Sequence, residues 1–87
     1  MEVPLDAFSV AAELLGDVPL TPGQLTQLRA LDHRYYQELF DRLNPPVGPP
    51  RTRAELAEEE VAALRALLEA GVRDMLTPGQ RRRLEGR

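Results

Sequence analysis

Asp32, His33 and Arg34 stand in a row and carry the side-chain types that a proton-transfer site would need. Consecutive helical positions point to different sides of the axis, so within a helix these three cannot converge on one substrate atom. His33 is the single histidine and there is no cysteine. The chain therefore offers neither a multi-imidazole metal site nor a thiolate or disulfide framework. Glu58, Glu59 and Glu60 form the densest carboxylate cluster, but as neighbours at the start of a helix they interact with the positive end of its dipole. No glycine-rich phosphate loop is present, and no serine stands near a plausible base. Catalysis is not expected, nor is a metal or a cofactor.

The remaining charge cluster is Arg81, Arg82 and Arg83. The net charge is -3, distributed unevenly: residues 1–60 hold five arginines and eleven acids, a balance of -6, and residues 61–87 hold six arginines and three acids, a balance of +3. Three basic side chains beside an acidic body attract nucleic acid or anionic lipid weakly at cellular salt, so no nucleic-acid partner is expected. The triplet could instead face Glu58 to Glu60 of a second copy in an antiparallel, charge-complementary dimer. The longest uncharged stretch falls well short of the roughly 18 to 20 apolar residues that span a bilayer, so no transmembrane segment is expected, although peripheral contact with a membrane complex stays open.

These groups must be positioned by helices, and the helix starts are legible. The pentapeptide Leu-Thr-Pro-Gly-Gln occurs at Leu20 to Gln24 and again at Leu76 to Gln80. Thr21 and Thr77 can cap with their hydroxyls, proline fits the first helical position, and Gln24 and Gln80 can return a bond to the cap. Thr52 and Glu55 repeat the logic without proline. Apolar spacing then predicts helices over about residues 5–15, 22–43, 53–75 and 78–85, an all-α domain centred on a long antiparallel helical hairpin. Pro45, Pro46, Gly48, Pro49 and Pro50 make residues 44–51 a stiff loop that neither long helix can enter.

The first helix is read as burying Leu5, Phe8, Ala12 and Leu15, with Gly16 ending it. The second presents a stripe of Leu25, Leu28, Leu31, Tyr35, Leu39 and Leu43, about 33 Å long at 1.5 Å per residue, widened by Tyr36 and Phe40. On the third, Ala57, Val61, Leu64, Leu68, Gly71 and Met75 alternate by four and three. Gly71 costs about 1 kcal/mol against alanine inside a helix, which close approach by a neighbouring helix would explain. Glu38 with Arg42 and Glu69 with Arg73 suit i, i+4 pairs on the solvent side. Of the adjacent tyrosines, Tyr35 and Tyr36, one should pack inside and the other face outward.

Two helices shield only one face of each other's stripe, and an 87-residue chain without staples has a thin stability margin. Pairing with a copy of itself or with another protein is expected. Tyr36, Phe40, Leu56, Leu67 and the arginines Arg81, Arg82 and Arg83 are the contact candidates.

Leu20-Thr21-Pro22-Gly23-Gln24, followed by Leu25, Leu28, Arg29 and Leu31, resembles the first Leu-Thr-x-x-Gln motif of the Spy/CpxP family of small helical stress proteins. Leu76-Thr77-Pro78-Gly79-Gln80, followed by the basic run and Leu84, resembles the second. The resemblance implies a cradle-shaped homodimer of helical hairpins that binds clients or regulators without ATP. The alternative class is an accessory or structural subunit docking on one dedicated protein complex. Glu2, Asp6 and Glu13 replace the basic start and apolar centre of a secretory signal, which gives a cytoplasmic protein if Met1 is the native start and a periplasmic one if an export signal has been removed.

Overall fold

The computed structural model describes residues 6 to 86. Their regular structure is entirely helical: α1 (Ala7–Leu15), α2 (Pro22–Leu43), a 3-10 turn (Arg53–Glu55), α3 (Glu58–Met75) and α4 (Pro78–Glu85). Among the described residues no helix is long and apolar enough to cross a membrane.

Side-chain caps fix the starts of three of these elements. Thr21 Oγ1 accepts from the Gln24 N–H at 3.1 Å while Gln24 Oε1 accepts from the Thr21 N–H at 2.9 Å. Thr77 and Gln80 repeat the exchange at 3.2 and 2.9 Å. Each pair satisfies two N–H groups that a bare helix start leaves without partners. At α1 the Asp6 carboxylate accepts from the Ser9 N–H at 2.7 Å. Gly16 closes that helix with φ of 60°, and its N–H donates to Ala12 O. Leu5, expected as the first residue of this helix, lies outside the described residues.

The helix expected over 53–75 divides. Thr52 and Glu55 close only the 3-10 turn, and the Thr52 hydroxyl donates to Glu55 Oε1 at 3.0 Å instead of capping a backbone N–H. Leu56 and Ala57 are extended, with ψ of 137° and 156°, and α3 begins at Glu58. Glu60 sets this second start by accepting from the Ala57 N–H at 3.4 Å and from the Arg51 guanidinium at 2.7 Å. Arg51 also donates to Glu55 O, so one side chain ties the loop, the turn and α3 together. The Arg51 hydrogen bond, then the Ala57 amide, hold the Glu60 carboxyl below its ordinary range.

The core forms where three helices meet. Leu28, Leu31, Tyr35 and Leu39 of α2 pack with Leu64, Leu68 and Val72 of α3 and with Leu76 beyond it, and Ala7, Val10, Ala11 and Leu15 of α1 complete the cluster with Val18. Burial pushes the Tyr35 hydroxyl above its usual value.

Several apolar positions fall elsewhere than expected. In α1 only Leu15 of the anticipated face is buried, and Phe8 and Ala12 are exposed. α1 lies against α2 and α3 together, and the small Ala7 and Ala11 allow a closeness that a phenylalanine would prevent. Leu25 of α2 is exposed, because Gln24 takes the inward position in that turn. Ala57 precedes α3, which starts five residues later than the spacing suggested, and Val61 is exposed; Val72 and Leu76 are buried where Gly71 and Met75 are only partly so.

Gly71 has a steric reason. A Cβ there would overlap Leu31 Cδ1 and lie 2.7 Å from Leu31 Cδ2, so α2 and α3 touch at the missing side chain.

Contacts between the two long helices fix their relative direction. The Gln24 amide in the first turn of α2 donates to Met75 O at the end of α3, and Arg42 in the last turn of α2 faces Glu60 in the first turn of α3 at 3.6 Å. The expected pairs Glu38 with Arg42 and Glu69 with Arg73 give way to other partners, one across elements and one within α3. Arg42 turns to Glu60, which Arg51 already holds in place, and Glu69 pairs at 2.8 Å with Arg65, which also reaches Glu13 of α1 at 2.8 Å. Glu60, offered above to a second copy, is thereby engaged within the chain. Asp32 accepts from the Ala7 N–H at 3.0 Å and pins the other side of α1 to α2.

Candidate protein-binding surface

The turn of α2 that carries Tyr35 also carries the first part of the candidate surface. Tyr35 is buried and Tyr36 is 45% exposed, and their rings meet edge to face with centroids 5.2 Å apart. An edge-to-face pair anchored on one side in the core holds the outer ring at small further entropic cost. Phe40, one turn on, is 64% exposed. Asn44 then ends the helix, its side-chain amide donating to Phe40 O at 3.1 Å.

His33, Tyr36, Gln37, Phe40 and Asp41 line a shallow open groove. Their spacing of three, four, seven and eight residues from His33 is one helix face. His33 and Gln37 are joined at 3.2 Å through the histidine Nε2 and the amide. Leu25, 42% exposed, lies eleven residues before Tyr36, three turns of helix, and so continues the same flank. The groove is apolar on its aromatic side and hydrogen-bonding on its His33, Gln37 and Asp41 side. Such a surface can hold an apolar side chain and a peptide group together, and nothing in it resembles an enclosed reaction chamber.

The other contact candidates are not brought to this flank. Leu56 and Leu67 are half-buried and pack against the core, so they lend their apolar area to the fold. Arg81, Arg82 and Arg83 are exposed on α4, at the end of the molecule where α2 begins. Between Gln24 and Phe40 lie sixteen residues of helix, about 24 Å. Arg81 donates to Arg73 O at 3.0 Å and Arg82 to Pro78 O at 3.4 Å. Among the described residues no group of three or more His, Asp or Glu side chains could hold a metal ion.

A second constellation was not anticipated beyond its capping function. Gln24 Nε2 donates to Gln80 Oε1 at 2.6 Å and to Met75 O at 3.0 Å. Gln80 Nε2 donates to Gln24 Oε1 at 3.0 Å and to Pro19 O at 2.9 Å. Pro19 and Met75 each stand two residues before the threonine of their own motif. The two pentapeptides are thus related by a local two-fold, each glutamine capping its own helix and donating to the carbonyl two residues before the other's threonine. Gln24 is only 5% exposed, and it is the one polar side chain buried among the described residues.

Comparison with protein-family models, with curated proteins and with solved structures finds no match to this chain.

Proposed function

We propose that this chain is a non-catalytic protein-binding module of the Spy/CpxP-like kind, in which α2 and α3 act as an antiparallel hairpin, two copies pair, and partially unfolded or regulatory proteins are held without ATP. The exposure of Phe40 carries the reading. A phenylalanine 64% open to water, beside a half-exposed tyrosine, forgoes about 1.5–3 kcal/mol that burial would return. The surface gives that up where it is covered in another state. The two Leu-Thr-Pro-Gly-Gln motifs and the order of short and long helices support the family assignment. The thin three-helix core supports pairing.

Suppression of aggregation tests the proposal. A stoichiometric excess of the protein should slow the aggregation of several unrelated unfolding proteins, and unchanged aggregation would refute it.

The confinement of Tyr36 and Phe40 to two successive turns favours a second reading, an accessory subunit that docks on one dedicated complex. Affinity purification from the native host separates the two. One stoichiometric partner supports the subunit, and many substoichiometric partners support the chaperone-like binder.

A further inference from the structure

α4 is attached unlike the other helices. None of its residues is buried, and Leu84 alone of its side chains packs partly against the core. Its attachment is polar: Gln80 to Gln24, Gln80 to Pro19 O, Gln24 to Gln80, and Arg81 to Arg73 O. The connection to α3 consists of Leu76 and Thr77, both extended, with ψ of 143° and 159°. Two extended residues let the segment beyond them move without disturbing the longer helix. An eight-residue helix is marginal without tertiary support, so α4 persists only while it is docked.

We propose that α4 is a releasable strap, latched by the Gln24–Gln80 amide pair and hinged at Leu76 and Thr77. It undocks and loses its helix while α1, α2 and α3 stay folded. Opening frees the Gln24 amide from Gln80 and exposes the partly buried Leu84, which lies beside Leu76. A group held by a few polar bonds and little apolar area belongs to the low-stability end of local opening.

Hydrogen exchange on the intact protein, read by mass spectrometry, tests this with Gln80→Glu and Gln80→Ala. A glutamate at 80 still accepts from the Thr77 N–H, so the cap is kept, but it no longer donates to Pro19 O or to Gln24. In the unsubstituted protein the α4 amides should exchange at least about tenfold faster than those of α2 and α3. Gln80→Glu should accelerate α4 by a further factor of about ten, Gln80→Ala by at least as much, with α2 and α3 unchanged in both. Equal protection of α4 and the long helices in the unsubstituted protein overturns the proposal. So does a Gln80→Glu variant whose α4 exchanges as before, or one in which α2 and α3 lose protection in step or the chain fails to fold.

Discussion

Gln24 and Gln80, 56 residues apart, exchange hydrogen bonds through both ends of their side-chain amides, at 2.6 and 3.0 Å. Each amide oxygen at the same time accepts from the backbone N–H of its own threonine. Two local helix starts have become one tertiary junction, which ties the beginning of α2 to the end of α3 and to α4.

The junction is unequal in its effect on stability, because α2 belongs to the core and α4 does not. Gln24→Ala strands the Thr21 N–H and Met75 O and takes one partner from each end of the Gln80 amide, and it should lower the unfolding free energy by about 1–3 kcal/mol. Thr21→Ala should cost about 1 kcal/mol, the usual value of a lost cap. Thr77→Ala removes the same cap from α4, so its effect on global unfolding should be smaller than that of Thr21→Ala. Urea denaturation of the three variants ranks them.

Gly71 should resist enlargement. Alanine gains about 1 kcal/mol of helix propensity, while its Cβ must displace the Leu31 side chain, an overpacking that costs about 1–3 kcal/mol. Gly71→Ala is expected to destabilise the fold by about 1 kcal/mol, and Gly71→Val by more. Thermal unfolding of both checks the order.

Acid should loosen the start of α3. The Glu60 carboxyl is held below its ordinary value by Arg51 first and by the Ala57 amide second. A carboxyl with a lowered value in the folded state contributes stability above its unfolded value, and that contribution disappears as pH falls through the lowered one. Melting temperature should therefore decline from about pH 5 downward, and Glu60→Gln should flatten part of that decline. A calorimetric pH series on the two proteins decides it.

Sequence alone made much of this fold legible, for identifiable reasons. Threonine, proline and glutamine at fixed offsets specify a helix start through purely local bonds, so α2 and α4 begin where those residues stand. The division before α3 was not legible, because it depends on Arg51 reaching Glu60 across nine residues of loop and turn. The inward face of α1 was misjudged for a related reason. Large apolar residues suggest a core face, yet a helix lodged between two others is chosen for small ones, and Phe8 is turned out while Ala7 and Ala11 are turned in. Tyr36 and Phe40 were identifiable as contact candidates, whereas His33, Gln37 and Asp41 entered the groove only through helical phase. The pairing of Gln24 with Gln80 could have been suspected from the repeat itself, since identical pentapeptides brought to one end of a helical pair can satisfy each other's spare amide groups.

The central claim is that the Tyr36 and Phe40 flank of α2 binds other proteins. It is tested most directly by aggregation suppression with the intact protein and with a Tyr36→Ser, Phe40→Ser double variant. Both side chains are exposed, so the variant should keep its helicity and melt close to the unsubstituted protein. The expected result is that the unsubstituted protein delays aggregation of unfolding test proteins at stoichiometric excess and the double variant does not. Equal suppression by the two proteins, or none by either, would contradict the account.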